Sequence, residues 1–220
     1  MLYDFHTHSL LSDGALSPLE LVRRALICGY RAIAITDHVG VGYLERVIAE
    51  ITADCALATS HWDIIAIPGV ELTHLPPAAI AETAHRAKEL GARLVMVHGE
   101  TVAEPVAPGT NRAAVECPDV DILAHPGLLT AEEATMAAAN GIFLEVTSRT
   151  QHAVANGHVV AVARRAGAKL LLNSDAHDEG DLLTPALARN VALGAALSNE
   201  EIEYLLQTNP KDLMPRLLPE

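Results

Sequence analysis

The chain has 220 residues, enough for one α/β domain with a sizeable core. Half of them are hydrophobic but only 3% are aromatic, so the core must be built from Ala, Val, Leu and Ile. The formal charge of −13 without a basic cluster argues against an extended nucleic-acid surface, and no apolar run reaches membrane-spanning length.

Short apolar runs alternate with helical patterns along the whole length. Leu2–Phe5 reads as a strand. Ser17-Pro18-Leu19-Glu20 opens a helix, with Ser17 as cap, Pro18 at the first helical position and Glu20 completing a capping box. Gly29 ends that helix, and Arg31–Thr36 is the second strand. A helix over Leu44–Ala58 leads to Ile64–Pro68 and on to Glu71, the third strand. Ala78–Leu90 is helical and Ala92–Val97 is the fourth strand. The stretch His98–Pro118, broken by Pro105, Pro108 and Gly109, is a long irregular loop of the kind that carries function. Val120–Ala124 is the fifth strand, and Thr130 caps a helix through Asn140. Ile142–Val146 is the sixth strand, with a helix ending near Gly167, and Ala168–Asn173 is the seventh. Two helices follow, the later one capped by Ser198. The N-terminal MLYDFHTHS turns polar too early for a signal peptide. Cys28, Cys55 and Cys117 show no CxxC spacing, so a cytoplasmic protein with reduced thiols is expected.

Continuous apolar strands joined by helices imply parallel pairing with both faces covered, either in a closed barrel or in an open doubly wound sheet. The polar residues favour the barrel. His6 and His8 follow the first strand, with Asp13 in the next loop. Asp37 and His38 follow the second, Glu71 ends the third, His98 the fourth and His125 the fifth. Asp175 and His177 follow the seventh. In parallel folds all of these strand ends share one face, and only a barrel gathers them into one cup. Side chains alternate along a strand, so His6 and His8 point the same way, as do Asp175 and His177. Asp4, Asp37 and Glu145 are expected to orient imidazoles rather than ligate metal. His74, three residues after Glu71, is a candidate lining residue. His61, His85, His152 and His158 read as ordinary surface or core histidines.

Asp4-Phe5-His6-Thr7-His8-Ser9, Thr36-Asp37-His38, Gly69-Val70-Glu71, His98, Ala124-His125-Pro126 and Ser174-Asp175-Ala176-His177 resemble, in order, the motifs of the PHP (polymerase and histidinol phosphatase) superfamily. The resemblance implies a single domain over residues 1–220, a distorted (βα)7 TIM-like barrel and a trinuclear metal centre. One ion would be held by His6, His8, Glu71 and Asp175. Glu71 would bridge to a second ion held by His98 and His125, and a third would be held by Asp13, His38 and His177. Many relatives carry a histidine where Asp13 stands. Two or three divalent ions, Zn, Mn or Fe, are implied, with Glu71, Asp175 and His177 as catalytic groups.

That centre would suit phosphate. Three divalent ions outweigh the carboxylates of Asp13, Glu71 and Asp175 by about +3. Arg149 offers a bidentate contact to phosphate oxygens, with Ser148 and His74 as further substrate contacts. The expected reaction is hydrolysis of a small phosphorylated metabolite, with histidinol phosphate as one substrate, by attack of a metal-bridged hydroxide. The alternatives are a phosphodiesterase or nucleotide phosphatase, or a non-catalytic metal-binding accessory module.

Overall fold

A computed structural model describes residues 1–218. Seven parallel strands form one sheet in the order β1 (Leu2–Asp4), β2 (Tyr30–Ile35), β4 (Ile65–Leu72), β5 (Leu94–His98), β6 (Ile122–Ala124), β7 (Phe143–Thr147) and β8 (Leu170–Asn173). The two-residue β3 (His38–Val39) pairs with the end of β4. The sheet nearly closes on itself. Beyond the ends of β1 and β8, Thr7 and Ala176 form a parallel bridge. The Asp175 amide donates to the His6 carbonyl at 2.9 Å, and the His8 amide to the Ala176 carbonyl at 2.8 Å. Nearer the strands, side chains complete the seam: Phe5 N donates to Asn173 Oδ1, and Ser174 N to Asp4 Oδ1. The architecture is therefore the distorted (βα)7 barrel that the strand pattern and the resemblance imply.

The strands alternate as parallel barrel strands must. Ala32, Ala34, Leu94, Met96 and Phe143 join one buried cluster in the barrel interior. Ile33, Ile35, Val95 and Val97 belong to a second, larger cluster shared with the helices. Leu213, Met214 and Leu217 of the last helix also belong to the interior cluster. That helix, α9 (Asn209–Leu217), is pinned to the N-terminal ends of strands. Asn209 Nδ2 donates to the Leu170 carbonyl, and Arg216 Nη1 to the Gly141 carbonyl just before β7. One end of the barrel is thus sealed with hydrocarbon, which leaves the C-terminal end for polar chemistry.

The helices start where the sequence says they do, with differences of local chemistry. Ser17 caps α1 (Pro18–Ile27), but Glu20 does not complete a capping box, because its carboxylate accepts from Arg23 and Arg24 one turn on. Thr130 and Glu133 do form a full box at α5 (Ala131–Asn140), closed by Gly141 at φ 69°. The long loop after β5, for which the sequence predicts irregular chain, contains a helix, α4 (Thr110–Glu116). Helices α2 (Leu44–His61), α3 (Ile80–Glu89) and α6 (Asn156–Ala166) cover the remaining strands. A C-terminal tail of α7 (Pro185–Gly194), α8 (Asn199–Glu203) and a π turn (Tyr204–Thr208) precedes α9. No helix among the described residues is long and apolar enough to cross a membrane.

Candidate metal centre

The nine residues that the resemblance implies as ligands converge on the C-terminal mouth. His6 and His8 stand together with their rings 4.9 Å apart. Asp175 Oδ1 faces them across the seam, 3.1 Å from His8 Nε2 and 3.6 Å from His6 Nε2. Glu71 sits between two groups. Its Oε2 is 3.4 Å from His6 Nε2 and 2.7 Å from His38 Nδ1, while its Oε1 is 3.5 Å from His125 Nε2. Asp13 Oδ2 is 3.3 Å from His177 Nε2, and its Oδ1 is 3.7 Å from His38 Nε2. Two ligands bound to one ion at roughly 2.0–2.2 Å stand about 3–3.6 Å apart, the separation seen for Asp175 with His6 and His8, for Glu71 with His6 and His125, and for Asp13 with His177, whereas Glu71 and His38 are in direct contact.

The backbone is shaped for this convergence. His125 and Asp175 have φ of 26° and 54°, in the left-handed region that costs a non-glycine residue energy. Gly14 lets the Asp13 loop fold onto the His8 backbone, since a Cβ there would lie 2.3 Å from the His8 carbonyl oxygen. Gly99 does the same for the chain after His98 against Ala124.

Burial argues that the donors are meant for cations. His6, His8 and Glu71 are wholly buried. Yet His6 Nε2, both ring nitrogens of His8, both carboxylate oxygens of Glu71 and His125 Nδ1 have no hydrogen-bond partner. A buried polar atom without a partner costs about 1–3 kcal/mol, so such a cluster needs something to bind. The residues therefore fit divalent metal. The electrostatics agree: burial would raise the Glu71 carboxyl, but His6 and His38 override it and hold it well below the ordinary range. Burial pushes His8 down to about 4, so it offers neutral nitrogens at pH 7.

The expected supporting carboxylates divide into three kinds. Glu145 does orient an imidazole, accepting from His6 Nδ1 at 2.8 Å. Asp4 accepts from the amides of His6 and Ser174 and from the Tyr30 hydroxyl, so it holds the seam rather than a ring. Asp37 does not reach an imidazole. It accepts from the amides and hydroxyls of Ser9 and Ser12, and so anchors the loop that carries Asp13. Consecutive residues on an extended chain point to opposite sides, which sends Asp37 away from the cup that His38 enters.

The substrate-facing expectations also separate. The cup is a cavity of about 430 Å³ whose lining includes His74, Arg149, Gln151 and His152. His74, at φ 53°, stands at the rim with its ring 4.8 Å from that of His98. Arg149 Nη1 donates to Asp181 Oδ2 at 2.9 Å, on the wall between the cup and an adjoining cavity of about 360 Å³. Ser148 is not in the cup. It lines the adjoining cavity, where its hydroxyl donates to the Ser174 carbonyl at 3.4 Å. His85 is exposed and His158 Nε2 bonds the Leu129 carbonyl, both outside the site, as read.

His152, which reads in the sequence as an ordinary histidine, lines the cup. It is 8% exposed, and its ring stacks on that of His125 at 4.2 Å. Glu104, from the long loop, was missed as well; its Oε1 is 3.1 Å from His98 Nε2. Both lie in loops rather than at strand ends, so no period-2 signal marks them.

Comparison with known proteins now bears on this geometry. The sequence pattern described as PHP domain matches residues 4–98. The chain is 49% identical over 218 residues to an uncharacterized protein of Methanocaldococcus jannaschii, covering 99% of this chain and 100% of that one. It is 27% identical over 232 residues to ribonuclease P protein component 3 of Methanosarcina mazei, covering 99% and 90%. Among solved structures it resembles histidinol phosphate phosphatase from Lactococcus lactis, complexed with zinc, L-histidinol and phosphate. That likeness has a TM-score of 0.63 at 16% identity, over 90% of this chain and 94% of that one, and is a likeness of fold.

Proposed function

The chain belongs to the PHP domain family, and we propose that it is a phosphoesterase that hydrolyses a small phosphomonoester, with histidinol phosphate among the candidates. The observation that carries this reading is the cup of nine strand-end ligands with buried, partnerless donor atoms. Two or three divalent ions, Zn, Mn or Fe, would be held by His6, His8, Glu71 and Asp175, by Glu71, His98 and His125, and by Asp13, His38 and His177. Such ions supply Lewis-acid charge to phosphate oxygens and make water acidic enough to be a nucleophile near neutral pH.

The chain's own residues do the rest. Glu71 and Asp175 stay ionised among the histidines and fix where positive charge sits. Glu145 holds the His6 ring by its Nδ1 and leaves Nε2 aimed into the cup. Arg149 stands at the wall, where its guanidinium reaches for phosphate oxygens beside the ions. Asp175 and His177, at the seam, would relay protons.

The test is release of phosphate from p-nitrophenyl phosphate compared with release of nitrophenol from its bis ester, with and without manganese. Manganese-stimulated turnover of the monoester supports the proposal; preference for the diester transfers the reading to phosphodiesters. A second reading rests on the full-length similarity to a ribonuclease P component, which supports a nucleic-acid partner. The charge of −13 works against it. Binding of a structured RNA at physiological salt, with no turnover of small esters, would favour that reading and the role of non-catalytic accessory module.

A further inference from the structure

The long loop after β5 and the turn after β7 bring two more donors to the mouth, and the nine strand-end residues do not account for them. His152 is anchored from behind: its Nδ1 lies 2.6 Å from the Thr101 hydroxyl, which can accept the ring proton. That leaves Nε2 as a lone-pair nitrogen facing the cup, 3.8 Å from Asp175 Oδ2 and 3.6 Å from Glu104 Oε1. His98 is set in the same way. Its Nδ1 donates to the Gly99 carbonyl at 3.2 Å, so its Nε2 is also a free donor atom, 3.1 Å from Glu104 Oε1. Ligand atoms of His98, His125 and His152 all lie within 4.8 Å of one another.

We propose that His152 is a further ligand of the second cation position, joining His98 and His125, and that Glu104 closes this position from the rim. With Glu71 bridging from the first position, the donor set becomes three imidazole nitrogens and two carboxylate oxygens, which suits a divalent transition ion such as zinc or manganese. His98 ends β5, Glu104 lies in the loop that follows it, and His125 and His152 follow β6 and β7. The three imidazoles and Glu71 are buried; Glu104 is 37% exposed and sits on the loop interrupted by Pro105. Glu104 is thus the one donor that can withdraw without disturbing the core. An anion arriving from solvent, such as inorganic phosphate, takes its place on the ion. On its other side, Glu104 Oε2 lies 3.7 Å from His74 Nε2.

This inference rests on reading the cup as a metal centre and is independent of which ester is cleaved. Cobalt titration, followed by visible absorption and by metal content, tests it on the full chain. His152→Gln should weaken one cobalt equivalent by at least about tenfold and alter its absorption bands, with the remaining equivalents unchanged. Thr101→Val, which keeps the imidazole but removes its anchor, should weaken the same equivalent to a smaller extent. Glu104→Gln should retain every equivalent but bind inorganic phosphate several-fold more tightly, because the competing carboxylate is gone. Unchanged cobalt affinity and spectrum in both His152→Gln and Thr101→Val would overturn the assignment of His152. Unchanged phosphate affinity in Glu104→Gln would overturn that of Glu104. A wild-type protein that takes up no cobalt would instead overturn the metal-centre reading itself.

Discussion

Glu145 and His6 meet at 2.8 Å, Oε1 to Nδ1, with both side chains fully buried. The same carboxylate also accepts from Asn173 Nδ2 at 2.8 Å, and through Oε2 from the amide of His125 at 2.9 Å. One residue of β7 therefore orients a ring from β1 and fixes the strained backbone that presents a ring after β6. Burial alone would push the Glu145 carboxyl up, but the His6 charge prevails and keeps it below its ordinary value.

Glu145→Gln tests that relationship. The amide keeps the shape but loses acceptor capacity toward one of its three donors, so His6 loses its fixed orientation. Metal affinity is expected to fall by about 10–100-fold, the usual effect of removing a partner that orients a metal ligand. Isothermal titration with zinc or manganese measures it, and unchanged affinity would show that packing alone orients His6.

Glu71 faces two groups of histidines with its two oxygens, so its loss should disturb both. Glu71→Gln is expected to lower turnover of p-nitrophenyl phosphate by at least ~10²-fold. His85→Ala, on the exposed face of α3, should leave turnover nearly intact. Equal behaviour of the two variants would remove Glu71 from the centre.

Metal binding should release protons. Burial lowers the tendency of His38 to be charged, yet Glu71 and Asp13 outweigh it and raise the imidazole to about 9. In the metal-free protein the ring therefore holds its proton at pH 7, and a cation must expel it. His8, held at about 4, contributes no such proton at that pH. Affinity should therefore climb as pH rises above 7, since in His6 too burial is outweighed, by Glu145, Asp175 and Glu71, and that ring must also give up a proton. Titrations at pH 7 in buffers of different ionisation enthalpy should give net proton release; zero release would contradict the His38 assignment.

Strand-end chemistry was legible in the sequence because alternation along a strand is a fixed rule. Alternation alone puts His6 with His8, and Asp175 with His177, on one side. The barrel followed from the need to gather those ends. What escaped notice depends on loops. His152 reaches the cup because Thr101, 51 positions earlier, holds its ring, and no local pattern encodes that pairing. Helix α4 was hidden by Pro105, Pro108 and Gly109 just ahead of it and by its seven-residue length. It forms because Asn111 ties it to the site loops, with Nδ2 donating to the Pro126 carbonyl and Oδ1 accepting from the Glu100 amide. Ser148 is expected as a substrate contact, but it lies just past the end of β7, turns with the loop and not with the strand period, and lines the adjoining cavity.

Arg149 provides the sharpest test of the phosphate reading. Its guanidinium stands at the cup wall, tethered to Asp181, and Asp181 Oδ2 also accepts from the His177 amide at 3.0 Å. That tether positions the side chain but shares its charge, so its pull on phosphate is reduced. Removing a charge-assisted contact costs roughly 1.5–3 kcal/mol, and the shared charge places the expected loss at the lower end, about tenfold in kcat/KM. Metal content should not change in Arg149→Ala, because the residue is not a ligand. Competitive inhibition by inorganic phosphate should weaken in parallel, since phosphate would use the same contact. Arg149→Lys should recover only part of the loss, because an ammonium cannot present two parallel donors while also holding Asp181. If Arg149 serves only to brace Asp181 and the loop of His177, the alanine variant would instead lose thermal stability or metal while phosphate inhibition stayed as it was. Unchanged phosphate inhibition with normal metal content would therefore remove Arg149 from substrate binding and leave the metal centre standing.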